Sequence, residues 1–193
     1  MSERIARAFV AVVPPAPVLD AVADAVALVG PAPAGWRWTP REQWHLTLRF
    51  LGAVDDAEAV EAALRTALGP RPGFDVHLGG AGAFPSSRRA GVLWTGVAGG
   101  EAALADLAAV AGAALEPLGY ERETAQFHPH LTVARVRGRE RRDARPLVAA
   151  LSGIDLGERF AVGEVVLFES RTRPAGARYA ARARFPLAGS DNA

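Results

Sequence analysis

The chain has 193 residues, half of them hydrophobic, enough for one compact domain or two small lobes around a real core and at odds with global disorder. It has no cysteine, which excludes disulfides and thiolate-held metals and leads us to expect a reducing, cytoplasmic setting. Its basic residues are all arginine, and 22 of them against 21 acids leave a net charge of +1, so no global field draws the chain along a nucleic acid.

In chain order, residues 6–13 read as a strand. The apolar run inside it stops at Pro14-Pro15, too short for a membrane span and without a cleavage pattern, so no membrane partner is expected. Residues 16–29 read as a helix ended by Gly30-Pro31, and Trp36 to Trp38 as a short extended piece. A strand over 45–51 is closed by Gly52, and Asp55-Asp56 caps a helix reaching Leu68. Strands at Phe74–Leu78 and Gly91–Val97 flank a turn made by Gly79-Gly80-Ala81-Gly82 and by Pro85-Ser86-Ser87. A helix over 101–118, a strand over 130–136, a helix near 144–151 and strands at 160–170 and 178–185 complete the pattern, and the last residues read as frayed.

The tripeptide His-Leu-Thr occurs twice, as His45-Leu46-Thr47 and as His130-Leu131-Thr132, each inside a strand pattern. Alternation along a strand puts His and Thr on one face, roughly 6–7 Å apart, with the leucine on the other. Two such strands on one cleft supply two imidazoles and two hydroxyls, the parts for acid–base chemistry on a phosphate ester. Each half of the sequence carries one such strand, a helix and flanking strands. We therefore expect an α+β, bilobal fold: two pseudo-symmetric, mostly antiparallel sheets with flanking helices and a central cleft carrying both His-x-Thr motifs, residues 1–193 forming a single unit.

The extended stretches Trp44-His45-Leu46-Thr47-Leu48-Arg49-Phe50-Leu51-Gly52 and Phe127-His128-Pro129-His130-Leu131-Thr132-Val133-Ala134-Arg135 resemble the two-histidine (2H) phosphoesterase superfamily. More closely, with Gly82-Ala83-Phe84-Pro85, Val92-Leu93-Trp94 and Leu167-Phe168-Glu169-Ser170-Arg171, the chain resembles its RNA 2′,3′-cyclic phosphodiesterase branch, also called the 2′-5′ RNA ligase family. The resemblance implies hydrolysis of a terminal ribose cyclic phosphate to a 2′-phosphate, with neither metal nor any other cofactor. The expected partners are RNA 3′ ends bearing 2′,3′-cyclic phosphate, or small cyclic nucleotides. The alternatives are 2′-5′ joining in the same cleft and a non-catalytic RNA-end-binding module. One chain supplies both motifs, so a monomer is expected.

Histidine titrates near 6.5, so one imidazole can accept a proton while its mate donates one at neutral pH. His45 is assigned as general acid to O3′ and His130 as general base to water, although the residues themselves do not distinguish this from the reverse. Thr47 and Thr132 are expected to donate to the phosphate oxygens. Arg49 shares the parity of His45 and Thr47 and is expected to face the cleft or to pair with an acid. Arg135 has the opposite parity to His130, which points to a structural ion pair unless the strand bends. Phe84 could stack on a terminal base or pack in the core. His128, His77 and the tryptophans read as structural or rim residues, and the glycine run lacks the Lys-Ser/Thr tail of a P-loop. Of the six arginines from Arg135 to Arg145, most are expected to be solvated.

Overall fold

In the computed structural model, residues 4–173 and 176–189 are described. The frayed end expected at the C-terminus lies largely outside them. Nine strands alternate with four helices: β1 Ile5–Val12, α1 Ala16–Val29, β2 Trp36–Trp38, β3 Leu46–Val54, α2 Ala57–Leu68, β4 Phe74–Phe84, β5 Val92–Gly99, α3 Glu101–Leu115, β6 Leu131–Val136, α4 Arg145–Ser152, β7 Phe160–Val162, β8 Glu164–Arg173 and β9 Gly176–Pro186. The strands make one sheet in the order β7-β4-β5-β6-β3-β1-β8-β9, with β2 added on β6, and every pairing between these strands is antiparallel.

The two expected sheets are the two halves of this sheet. They meet at a single ladder pair, Leu46 on β3 with Leu131 on β6. The halves do not follow the halves of the sequence. β1 and β3 are completed by β8 and β9 from the C-terminal end, whereas β4 to β7, with β2 added on β6, build the other lobe. The helices are exchanged as well: α3, encoded between β5 and β6, packs on β3 and α2, and α1, encoded between β1 and β3, packs on α4 beneath β4. Strand–helix propensity does not reveal such an exchange, because each amphipathic helix only requires some apolar face to cover.

Local chemistry explains the element ends. The Asp56 side chain accepts the Ala59 amide at 3.0 Å and caps α2, whose Val60, Leu64 and Leu68 bury at helical spacing. The expected helix over 101–118 is α-helical only to Leu115; Pro117 lacks the amide for the ladder, and residues 116–118 tighten into a 3₁₀ turn.

Three further expected boundaries are corrected. The strand over 45–51 does not close at Gly52 but runs to Val54, and Gly52 pairs with Ala8. The glycine run is not a turn: it lies inside β4, where the pairing with β5 slips between Leu78 and Ala81 and Gly80 takes φ +69°. The stretch 160–170 is two strands broken at Gly163, β7 pairing with β4 and β8 with β1, so it crosses from one lobe to the other.

One core runs beneath the sheet and includes Leu46, Leu48, Leu131 and Val133, the apolar faces of both His-x-Thr strands. The opposite face of the same strands is left for the cleft.

Candidate active site

The two motifs have the same burial, position by position. Over Trp44–Phe50 and over Pro129–Arg135 the pattern runs buried, half-buried, buried, half-buried, buried, buried, exposed. The pair Leu46–Leu131 sits where a local twofold axis would pass, so the antiparallel register sets His45 against Thr132 and Thr47 against His130. All four line one cleft of about 310 Å³.

Each imidazole is held in the same way. His45 Nδ1 lies 2.7 Å from the Gln43 carbonyl and His130 Nδ1 lies 2.8 Å from the His128 carbonyl, each two residues upstream. A carbonyl only accepts, so each Nδ1 carries a hydrogen, and each neutral ring presents Nε2 as a proton acceptor. Rings then pin the imidazoles. Phe9 stacks on His45 at 4.7 Å with Tyr179 edge-on at 5.3 Å, and Phe84 meets His130 edge-on at 4.9 Å. Phe84 in turn lies 5.2 Å from Trp94, which itself covers Gly82 so closely that a Cβ there would overlap the indole.

Phe84 therefore backs one histidine as Phe9 backs the other. It lines a side groove with Phe50, His128 and His130 rather than the main cleft. His77 bonds the Gly157 carbonyl at 3.0 Å, far along β4. Among the described residues, the hydroxyls of Thr47 and Thr132 bond to no other group of the chain and stay available to a ligand. No group of three or more His, Asp or Glu among the described residues is arranged to hold a metal ion, and no helix is long and apolar enough to cross a membrane.

A matched β-bulge decides which side chains accompany the histidines. β1 pairs Val10 with Arg49 but Ala11 with Thr47, so Leu48 is an extra residue in β3. β5 pairs Leu93 with Ala134 but Trp94 with Thr132, so Val133 is an extra residue in β6. One extra residue inverts strand parity beyond it. Arg49 is thereby turned away from the cleft and buried, 7% exposed. Its guanidinium bonds the Glu121 carbonyl and pairs with Glu123 at 3.3 Å, tying down the segment that leads into β6. Arg135 is turned into the cleft, and Phe50 occupies the equivalent position in β3.

Of the two expectations for Arg49, the pairing with an acid holds and the cleft-facing one does not, because the bulge inverts the parity; Phe50 was missed for the same reason. Position-by-position alignment of the two His-x-Thr stretches pairs Phe50 with Arg135 and was the signal that could have found it. Phe9, Arg7, Arg37, Gln43 and Tyr179 also line the cleft, and nothing in their local sequence sets them apart.

Burial governs the proton affinities. It pushes the His45 imidazole down from 6.5 to about 4, against the Gln43 carbonyl, which raises it, and with His130 and Arg135 adding to the depression. Burial also lowers His130, partly offset by the His128 carbonyl and reinforced by His128 and Arg135. Both rings are thus neutral in the empty cleft at pH 7.

The unfolded chain takes up the His45 proton near 6.5 and the folded chain near 4. The contribution is therefore fully present above 6.5 and is lost as the pH falls toward 4. That depression corresponds to on the order of 3 kcal/mol. We expect denaturant titrations at pH 7.5 and 4.5 to show a smaller acid-induced loss of stability in His45→Asn than in the original chain; an equal loss would contradict the buried, neutral ring.

Two pseudo-equivalent His-x-Thr strands facing one cleft fit the two-histidine phosphoesterase resemblance of the sequence. The chain belongs to the 2′-5′ RNA ligase superfamily, whose model matches residues 14–174. It is 32% identical over 176 residues to an RNA 2′,3′-cyclic phosphodiesterase of Methanothermobacter thermautotrophicus, covering 90% of this chain and 94% of that one. It is 39% identical over 97 residues to an RNA 2′,3′-cyclic phosphodiesterase of Aeropyrum pernix, where the match spans 50% of this chain and only 55% of the relative. Among solved structures, it superposes on Escherichia coli LigT complexed with 3′-AMP with a TM-score of 0.75 at 26% identity, covering 96% of this chain and 99% of that one.

Proposed function

We propose that this chain is an RNA 2′,3′-cyclic phosphodiesterase that opens the terminal cyclic phosphate to a 2′-phosphate with its two histidines and no metal. The observation that carries this reading is the pair of imidazoles whose Nε2 atoms are left free by matched Nδ1 bonds, on one cleft wall with two unengaged threonine hydroxyls. The names of the relatives supply the substrate class, and 3′-AMP in LigT supports a cleft of nucleotide size. The reading takes the chain as one cytoplasmic, monomeric unit, because one chain provides both motifs.

A cyclic phosphate entering the cleft brings negative charge between two neutral rings and raises their proton affinity, so one becomes an imidazolium while the other stays a base. In the assigned order, His130 Nε2 takes a proton from water as the water oxygen bonds phosphorus. The P–O3′ bond breaks, and His45 delivers its proton to O3′. Thr47 and Thr132 donate to the phosphoryl oxygens as charge builds there, where each donor is typically worth ~10²–10³-fold. The products are a 2′-phosphate and a 3′-hydroxyl, with His45 neutral and His130 protonated; exchange with solvent resets the pair.

A short RNA ending in 2′,3′-cyclic phosphate, incubated with the protein in EDTA, is expected to yield the 2′-phosphate alone. A 3′-phosphate product, or no turnover until a divalent metal is restored, would overturn the reading.

A further inference from the structure

We propose that Arg7, Arg37 and Arg135 form a second phosphate subsite that takes the phosphate on the 5′ side of the terminal nucleotide, so that the preferred substrates carry two phosphates. The inference rests on the phosphodiesterase reading and narrows its substrate class.

All three arginines line the cleft that holds the histidines, and no Asp or Glu among the described residues lines it with them. Arg37 on β2 and Arg135 on β6 are direct cross-strand partners, an arrangement in which like charges destabilise the sheet. Arg7 reaches the same cavity from β1, close enough to Arg135 for the two to repel. Among the described residues, none of the three has an ion pair or side-chain hydrogen bond. Several arginines elsewhere on the surface are matched to acids, Arg41 to Asp20, Arg145 to Asp143 and Arg184 to Glu164, and others, such as Arg71 and Arg139, have no such partner among the described residues. What sets Arg7, Arg37 and Arg135 apart is that all three share one cavity with both histidines. A chain with net charge +1 has thus gathered three unmatched guanidiniums at its catalytic cleft.

One cyclic phosphate is a diester with a single negative charge, and it is already served by two imidazoles and two hydroxyls. Three guanidiniums are more positive charge than that group can balance. Guanidinium matches phosphate in forked hydrogen bonds, so the complementary ligand is another phosphate. The subsite is also one-sided. At the position equivalent to Arg135, β3 carries Phe50, 57% exposed, so the local twofold symmetry of the motifs is broken by charge and the nucleotide can lie in only one direction.

A 5′-phosphate on a mononucleotide and the internucleotide phosphodiester of RNA share this chemistry. Calorimetry at fixed salt with product analogues separates them: adenosine 2′-monophosphate, adenosine 2′,5′-bisphosphate, and an adenylyl-adenosine dinucleotide ending in 2′-phosphate. The second phosphate is expected to tighten binding by about ten- to a hundredfold in at least one of the last two. A gain with the bisphosphate alone assigns the subsite to 5′-phosphorylated nucleotides, and a gain with the dinucleotide assigns it to RNA. In Arg37→Gln and Arg7→Gln that ratio is expected to collapse toward one, while Arg122→Gln, exposed and outside the cleft, keeps it. A ratio near one in the original chain, or a ratio that survives both cleft substitutions, overturns the subsite. Failure of the phosphodiesterase reading would look different: no hydrolysis of any cyclic phosphate, with the binding ratio and its arginine dependence intact.

Discussion

His45→Ala and His130→Ala are each expected to lower kcat on a cyclic-phosphate-ended RNA by ~10²–10⁴-fold, the usual worth of a positioned acid or base. The physical case is the matched geometry: each ring donates Nδ1–H to the carbonyl two residues upstream and presents Nε2 to the same cleft. In the proposed mechanism the rings act on one bond in one step, so the double variant is expected to be little worse than the poorer single one. Far-ultraviolet circular dichroism should be unchanged, because both rings face the cleft and the core beneath the two strands is left intact.

A substrate with sulfur in place of O3′ separates the roles. A thiolate departs without a proton, so His45→Ala should recover much of its activity on that substrate and His130→Ala should not. The opposite rescue would exchange acid and base, and retention of full activity by either variant on the natural ester would remove that ring from the chemistry. The pH profiles carry a second signature. Both proton affinities are depressed in the empty cleft, so kcat/KM should peak below pH 6.5, and the alkaline limb of kcat should lie at higher pH because bound phosphate raises them.

Leu46→Ala and Leu131→Ala form the second large prediction. Both side chains are essentially inaccessible, 1% and 0% exposed, and they are the only residues of β3 and β6 that pair across the junction of the two lobes. Truncating a core leucine removes its transfer free energy and leaves a cavity, together ~2–5 kcal/mol. The two face one another, so the double variant is expected to lose less than the sum of the singles. Activity should fall with stability even where the chain remains folded, because this pair sets His45 against Thr132 and Thr47 against His130. Urea titrations give the first effect from the midpoint at constant slope. A loss under 1 kcal/mol in both variants would mean that the lobes are held together elsewhere.

Much of the site was legible because it depends on short-range periodicity. His and Thr two residues apart share a strand face whatever the strand pairs with, and the leucine between them turns to the core, so spacing alone put His45 with Thr47 and His130 with Thr132; that the two pairs share one cleft depends on the meeting of β3 and β6. Most elements followed in the same way: Asp56 caps α2 and Gly30 ends α1. The stop of α3 at Leu115, before Pro117, was missed. For Arg49 and Arg135 the sequence left two alternatives each and could not choose, since parity is inverted by a bulge that exists only in the register of β3 on β1 and of β6 on β5. The glycines of β4 looked like a turn for a related reason: only pairing to β5 makes an extended strand of a segment with so little side-chain preference of its own.

The amino-acid sequence by itself determined the duplicated motif, the apolar faces beneath it and the order of strands and helices, because these are properties of contiguous residues. The tertiary structure alone decided that β8 and β9 complete the lobe begun by β1 and β3, that α1 and α3 pack on the other lobe from the one they are encoded in, and that Arg7, Arg37 and Arg135 converge beside the histidines. Those outcomes depend on which surfaces bury one another across tens of residues, and a bulge of one residue is enough to move a charge from one face of a sheet to the other.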